Sequence, residues 1–227
     1  MTALFVTATG TDIGKTFVTA GLIRALRRAG RAVDAAKPVI SGFSTDAVAA
    51  SDTGALLSAM GRDLSAEEAI RISPWRFAAP LSPDMAAEAE GKTIDFGAVV
   101  ADSRARIAAS PDVLLIEGVG GIMVPLDDRH TVLDWMEALA LPVLLVAGSY
   151  LGTISHTLTA VDALTRRGLK VAALVISETE GSTVSMEATI ATLRRFIPEE
   201  IEILALPRLD GPDHPAFDQL AELVAKP

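Results

Sequence analysis

The chain has 227 residues, half of them hydrophobic, so it can bury a full core, and its length fits one domain spanning residues 1–227. Its net charge of −9 offers no broad cationic surface for a phosphate backbone, which excludes nucleic acid as an expected partner. With no cysteine, no signal-peptide pattern and no apolar run of transmembrane length, the sequence excludes disulfides, thiolate metal sites and a membrane partner, and predicts a cytoplasmic protein.

Short apolar runs alternate with segments of helical spacing along the chain. Strands are predicted at residues 4–7, 33–39, 113–116, 143–146, 171–176 and 201–206, and helices at 16–29, 95–109, 131–139, 153–167, 186–196 and 215–225. The strand runs do not alternate with polar residues, which is typical of parallel strands buried on both faces. The pattern predicts a single-domain α/β fold, a doubly wound and mostly parallel sheet flanked by helices, with ligands bound beyond the carboxyl ends of the strands.

Two segments interrupt this alternation. Residues 41–54 are rich in small and polar residues, and residues 73–83 contain three prolines, which exclude a regular helix. The second segment is interpreted either as a plain connecting loop or as an apolar lid over a substrate. The lid interpretation depends on Trp75, Phe77 and Leu81, which would be costly to expose on a mere connector.

The clearest motif is Gly14-Lys15-Thr16, which lies between the first predicted strand and a helix, as a phosphate-binding P-loop requires. Small residues let successive backbone N–H groups point at phosphate oxygens, and the positive end of the helix dipole adds to them. Lys15 supplies a charge for the β and γ phosphates, and Thr16 supplies a hydroxyl ligand for Mg²⁺. Thr9 replaces the usual first glycine of the motif, with Gly10 one position later.

Lys37 lies at the end of the second predicted strand and Glu117 directly follows the third, so both should lie at the same edge of the sheet. Lys37 can stabilise charge on a phosphoryl group in transit, although a solvated strand end is the alternative. Glu117 is interpreted as a Walker-B-like acid that holds Mg²⁺ directly or through water, with an idle glutamate in a glycine-rich turn as the alternative. Asp52 and the other acids are ambiguous from spacing alone, and the three histidines lack metal-ligand spacing.

Several segments together resemble the dethiobiotin synthetase family, and the resemblance extends over residues 5–209. The matching segments are residues 11–16, 37–42, 51–52, 77–83, 117–121 and 151–156. The resemblance implies an ATP-dependent cyclo-ligase that closes a ureido ring on 7,8-diaminononanoate in biotin biosynthesis. In this reaction one amine captures CO₂ as a carbamate, ATP phosphorylates the carbamate, and the second amine displaces phosphate to give dethiobiotin and ADP.

The resemblance also implies roles for individual residues. Thr16, Asp52 and Glu117 would hold Mg²⁺. Lys15 and Lys37 would be the catalytic residues, which neutralise the carbamate and the transferring phosphoryl group. The nucleotide would contact Asp12, Ile13, Gly14, Lys15, Thr16, Phe17, Asp52, Glu117, Gly118, Val119, Gly120, Ser177, Pro207, Arg208 and Leu209. The diamine carboxylic acid would contact Thr11, Lys37, Ser41, Pro80, Leu81, Gly152, Thr153, Ile154 and Ser155.

A homodimer with active sites at its interface is a further implication of the resemblance. The turn at residues 152–155 would reach the partner's active site and bind the substrate carboxylate through backbone donors at a helix N-terminus. Three residues depart from the usual pattern of the family: Ala8 replaces the outer glycine of the loop, Asp84 replaces a frequent histidine, and Ser177 replaces an asparagine that reads the adenine.

Other classes of protein share the sheet and the P-loop. A partition-type or iron-protein-type ATPase would have a second lysine five positions before Lys15, where this chain has Gly10. An amidotransferase such as a cobyric acid synthase would need a cysteine nucleophile, and the chain has none. A deviant ATPase or nucleotide switch that acts on protein partners stays open as the alternative, although it would have little need for Lys37 or the proline-rich segment.

Overall fold

A computed structural model describes residues 2–110, 112–209 and 211–225. These residues form eight strands: β1 (Thr2–Ala8), β2 (Val33–Ala36), β3 (Val39–Ile40), β4 (Trp75–Arg76), β5 (Val113–Glu117), β6 (Val143–Gly148), β7 (Val171–Ser177) and β8 (Glu202–Leu206). Six of them make one parallel sheet in the order β2-β5-β1-β6-β7-β8. The short strands β3 and β4 pair in parallel outside it. The carboxyl ends of β1, β2 and β5 therefore meet at one edge of the sheet.

The helices are α1 (Lys15–Arg28), α2 (Asp52–Met60), α3 (Ala66–Ile72), α4 (Pro83–Ala89), α5 (Phe96–Ala109), α6 (Val132–Leu139), α7 (Thr153–Arg166), α8 (Met186–Leu193) and α9 (Pro215–Ala225), with a 3₁₀ helix at Thr45–Ala50. Most of the α-helices begin after a serine, threonine or aspartate whose side chain accepts a backbone N–H of the first turn. Within the described residues, no helix is long and apolar enough to cross a membrane.

Two buried apolar layers lie on opposite faces of the sheet, because successive strand side chains point to opposite sides. Leu4 and Val6 of β1 pack with α1, α2 and α9 on one face. Phe5 packs with α5, α6, α7 and α8 on the other, where its ring meets the edge of Trp135 with a centroid distance of 4.8 Å. The three-layer doubly wound α/β fold predicted from the sequence is confirmed.

One predicted strand is wrong in its extent. The run at residues 33–39 was expected to be continuous, but β2 ends at Ala36, and the N–H of Lys37 donates to the carbonyl of Ile72, 3.0 Å away. Pro38 has no N–H and cannot continue the ladder. Val39 then pairs with Trp75 of β4, so the chain leaves the main sheet at the position of Lys37.

The proline-rich segment forms a fixed wall rather than a free lid. Phe77 is buried in the core, and its carbonyl accepts the N–H of Phe43 at 2.9 Å. The carbonyl of Ala79 accepts the N–H of Gly42 at 3.0 Å. The lid interpretation is therefore wrong for Phe77, while Leu81 stays partly exposed at the end of the wall.

Candidate active site

The loop between β1 and α1 forms a cradle of backbone donors. Asp12 and Gly14 have positive φ angles of 57° and 98°, and α1 begins immediately afterwards at Lys15. Among the described residues, no side chain caps the N-terminus of α1, which leaves its first N–H groups available to an anion. A Cβ atom on Gly14 would lie 2.8 Å from Oγ of Ser177, so both the φ angle and the space at this position require glycine.

A buried polar cluster adjoins this cradle. Oε1 of the fully buried Glu117 accepts the hydroxyl of Thr16 at 2.7 Å and the ammonium of Lys37 at 2.6 Å. The same ammonium lies 2.9 Å from Oδ2 of Asp52 and 3.3 Å from the carbonyl oxygen of Gly118. Two carboxylates and one ammonium thus connect residues at the ends of β2 and β5 with residues at the starts of α1 and α2.

The charges of this cluster shift one another's titration. Burial, with a further contribution from Lys37, lowers the pKa of Lys15 from 10.5 to about 8. Burial alone would lower the pKa of Lys37 as well, but the neighbouring Glu117 and Asp52 outweigh it and raise that pKa. Burial would raise the pKa of Asp52, and Lys37 reverses this effect so that the pKa is lowered. Lys37 is therefore held as an ammonium, whereas Lys15 is the more easily deprotonated of the two lysines.

The oxygen atoms of the cluster are of the kind that Mg²⁺ prefers. Oε2 of Glu117 is buried and has no hydrogen-bond partner in the described part of the chain, which is costly for a carboxylate unless a cation satisfies it. Asp52 has a half-exposed carboxylate, and Thr16 adds a hydroxyl. No group of three His, Cys, Asp or Glu side chains suited to a metal occurs among these residues, so any Mg²⁺ here would retain water or phosphate oxygens as ligands.

Two clefts open at this edge of the sheet. The first has a volume of about 750 Å³, and its lining includes the P-loop, Lys37, Asp52 and the wall at Pro80 and Leu81. The second has a volume of about 460 Å³ and lies between the P-loop and the ends of β7 and β8. Asp12, Gly14 and Phe17 line both clefts. The cradle therefore lies between the two clefts.

The structure brings most of the predicted site residues to these clefts. The first is lined by Thr11, Asp12, Gly14, Lys15, Thr16, Phe17, Lys37, Ser41, Asp52, Pro80, Leu81, Val119 and Gly120. The second is lined by Asp12, Ile13, Gly14, Phe17, Ser177, Pro207, Arg208 and Leu209. Glu117 and Gly118 do not line this cleft, but both accept hydrogen bonds from the ammonium of Lys37, which does.

Further residues line the two clefts but were not predicted from the sequence. In the first cleft they are Ile40, Gly42, Ala50, Ser51, Ser82, Pro83 and Val124, and in the second Glu178, Thr179 and Glu180. Residues 178–180 directly follow β7, and that position at a strand end was the available signal. The others lie in loops or in short elements such as β3, the 3₁₀ helix and the start of α4, which are too short for periodicity to mark them.

The turn at residues 152–155 lines neither cleft of this chain. It follows β6 at the same edge of the sheet, and Gly152 has a φ angle of 101° at the start of α7. The hydroxyl of Thr153 donates to the carbonyl of Gly148 at 2.7 Å, and Leu151 beside the turn is 81% exposed. The turn is therefore well formed, but it stands apart from the polar cluster of its own chain.

An anion cradle after the first strand of a parallel sheet, with an acid at the tip of the neighbouring strand, defines a nucleotide-binding protein of the P-loop class. Among solved structures, the septum site-determining protein MinD with Mg-ADP from Pyrococcus horikoshii is similar, with a TM-score of 0.59, 15% identity, and coverage of 99% of this chain and 96% of that one. The cell division ATPase MinD from Pyrococcus furiosus gives a TM-score of 0.54 at 18% identity, with 99% and 98% covered. At these identities the likeness shows the fold alone.

Sequence relatives define the family. A family profile described as an AAA domain matches residues 2–214. An ATP-dependent dethiobiotin synthetase from Acidiphilium cryptum is 50% identical over 87% of this chain and 89% of the relative. One from Caulobacter vibrioides is 47% identical over 92% of this chain and 93% of the relative. The chain belongs to the ATP-dependent dethiobiotin synthetase family, and the resemblance drawn from its motifs is confirmed.

Proposed function

We propose that the chain is an ATP-dependent cyclo-ligase that converts 7,8-diaminononanoate, CO₂ and ATP into dethiobiotin, ADP and phosphate. The observation that carries this proposal is the buried cluster of Lys37, Glu117, Thr16 and Asp52 beside Lys15 in one cleft. A protein that only bound nucleotide would need the P-loop, but not a second buried lysine in the lining of the same cleft. Ring closure through a carbamoyl phosphate concentrates anionic charge, and two ammonium groups suit that task.

In the proposed reaction the triphosphate lies along the P-loop, with its oxygens bound by the first N–H groups of α1 and by Lys15. One substrate amine attacks CO₂ and loses a proton to give a carbamate. A carbamate oxygen then attacks the γ-phosphorus, and ADP leaves. The second amine attacks the carbonyl carbon and loses a proton, the carbon–oxygen bond to phosphate breaks, and the ring closes as phosphate leaves. Lys37 stabilises the charge that develops on the transferring group.

The remaining lining of the first cleft suits the organic substrate. Thr11 and Ser41 offer hydroxyl groups near the phosphate cradle, where the carbamate would be bound. Pro80 and Leu81 offer apolar surface for the methylene chain beyond it. The nucleobase would occupy the second cleft, with Ser177 and residues 207–209 in its wall.

We propose Thr16, Asp52 and Glu117 as the residues that hold Mg²⁺, with the unpartnered Oε2 of Glu117 as the main support. When bound, Mg²⁺ neutralises charge on the β and γ phosphate oxygens and helps to align them. Thr16 and Glu117 are already joined by a hydrogen bond, so these two oxygen donors need little rearrangement.

We further propose that the chain acts as one domain in a cytoplasmic homodimer, with residues 152–155 completing the partner's active site. The support is local: Gly152 leaves the N-terminus of α7 without a side-chain cap among the described residues, and the neighbouring Leu151 is 81% exposed, so the turn is accessible to a partner. Mixing inactive Lys37→Ala with inactive Gly152→Pro tests this arrangement. Mixed dimers should regain part of the activity, and a mixture as inactive as its components would contradict shared sites.

Product formation tests the main proposal. The protein is incubated with Mg²⁺, ATP, bicarbonate and the diamine, ADP is measured, and the cyclic urea is sought by mass spectrometry. We expect ADP release to require the diamine. Lys37→Ala should lower turnover by on the order of 10²-fold while ATP binding is retained, because Lys37 acts mainly on charge that appears during transfer. Lys170→Ala, which removes an exposed lysine, is the matched control and should keep normal turnover. ADP release that ignores the diamine, with no cyclic product, would favour a nucleotide switch instead.

A further inference from the structure

The ammonium of Lys37 has no donor left for a substrate. A lysine ammonium carries three N–H donors. Three acceptors surround it: a carboxylate oxygen of Glu117 at 2.6 Å, a carboxylate oxygen of Asp52 at 2.9 Å and the carbonyl oxygen of Gly118 at 3.3 Å. The side chain is only 2% exposed, so these protein contacts replace its hydration. To bind a carbamate or a phosphoryl oxygen, Lys37 must therefore leave at least one of the three acceptors.

Two of these acceptors belong to the residues that we propose as metal ligands. Asp52 and Glu117 bring two negative charges to one point, and Lys37 is the cation bound between them. An ammonium and a divalent cation on the same two carboxylates would repel each other, most strongly at Glu117, which is fully buried. Lys37 contacts Oε1 of Glu117 and Oδ2 of Asp52, whereas Oε2 of Glu117 has no partner in the described part of the chain, so a metal that binds Oε2 would lie beside the ammonium and weaken its contacts with both carboxylates.

We propose that Lys37 is the internal counter-cation of the resting site and that a divalent cation displaces it. In the resting state Lys37 neutralises Asp52 and Glu117 and is withheld from substrate. When a divalent cation binds the two carboxylates, the ammonium moves into the first cleft, which Lys37 already lines. This inference rests on the proposed function and adds an order to it, because anionic substrate gains its second ammonium only after the metal is bound.

A binding measurement without nucleotide or diamine tests this displacement. The affinity for Mg²⁺ alone is measured by calorimetry at pH 7, where Lys15 is largely protonated, for the unaltered protein, Lys37→Met and Lys15→Met. Lys15 is a matched control, because it is a second buried ammonium in the same cleft and makes no ion pair with Asp52 or Glu117 in the described structure. Both variants lose one positive charge, so the difference between them isolates direct competition. Lys37→Met should bind Mg²⁺ tighter by on the order of tenfold or more, and Lys15→Met by clearly less.

Equal gains in the two variants, or no gain in Lys37→Met, would overturn the proposal. If Lys37→Met does not fold, the ¹⁵N resonance of the Lys37 ammonium in the unaltered protein decides. Mg²⁺ should shift this resonance at constant ionic strength, whereas an unchanged resonance at saturating Mg²⁺ would mean that the ammonium does not move. Neither readout requires turnover, so a failure of the displacement is distinguishable from a failure of the cyclo-ligase function, which only the product assay tests.

Discussion

Removing the charge of Glu117 is expected to destabilise the protein far more than removing the charge of Asp52, although both carboxylates contact the same ammonium. Glu117 is fully buried, whereas the side chain of Asp52 is 49% exposed. Glu117→Gln preserves the size of the side chain but leaves the buried Lys37 with half of its counter-charge. Breaking a buried pair by removing one partner costs about 3–5 kcal/mol. We take about 3 kcal/mol because glutamine keeps one carbonyl acceptor, and for a chain of this length that corresponds to a fall in Tm of roughly 6–12 °C.

Thermal unfolding in buffer with a chelator measures this cost without contributions from metals. Asp52→Asn is the matched control and should cost no more than about 1 kcal/mol, since solvent screens a half-exposed pair. The double variant Lys37→Met with Glu117→Gln should be more stable than Glu117→Gln alone, because it removes the undercompensated buried charge of Lys37. An Asp52→Asn variant as unstable as Glu117→Gln would refute the reasoning, and so would a double variant less stable than Glu117→Gln.

Three further predictions concern the P-loop. Lys15→Ala should lower kcat by on the order of 10²-fold or more, since a preorganised charge at a phosphoryl transfer contributes roughly 3 kcal/mol. Near-normal steady-state turnover in this variant would show that Lys15 does not take part in the mechanism. Gly14→Ala should weaken ATP binding about tenfold, because the residue has a φ angle of 98° and its Cβ would lie 2.8 Å from Oγ of Ser177, and unchanged affinity in calorimetry would contradict this. Burial lowers the pKa of Lys15 to about 8, so ATP affinity should fall as the pH rises through that value, because the free protein then loses the ammonium. The free energy of unfolding of the free protein should rise between pH 8 and pH 10.5, because over this range the unfolded chain binds the proton that the folded chain has lost. Lys15→Arg should abolish the fall in affinity, and an equal fall in that variant would assign it to another group.

The sequence is sufficient to predict the central sheet, because its strands are continuous apolar runs bounded by helices. Prediction fails at residues 33–39, where Pro38 interrupts a run that is otherwise typical of a strand. It also fails at α2, α3 and α4, three short helices that the sequence analysis did not identify. These three helices of seven to nine residues lie in or beside the irregular segments rather than between two strands of the sheet, whereas α6 and α8, of eight residues each, could be predicted because they occupy the gaps between successive strand runs.

The candidate site, like the fold, could be predicted from the sequence only in part. Lys15, Thr16 and Glu117 could be located from the sequence because each lies at a fixed distance from a strand. The contacts of Lys37 could not be predicted, since residue 52 and residues 117–118 are both distant from Lys37 in the chain. The walls of the second cleft also depend on how the ends of β7 and β8 are brought beside the P-loop. Motifs thus identify the basic and acidic residues, whereas the fold determines which of them are in contact.

The central claim is that this cleft transfers the γ-phosphoryl group of ATP to a carbamate oxygen. Its most direct test is a short turnover with freshly dissolved C¹⁸O₂, the diamine and unlabelled ATP, followed by mass analysis of the phosphate released. Because ring closure breaks the bond between the carbonyl carbon and the phosphate-bearing oxygen, each phosphate should carry one oxygen atom from CO₂. Phosphate without ¹⁸O, formed together with the cyclic urea, would show that the γ-phosphoryl group never reached the carbamate.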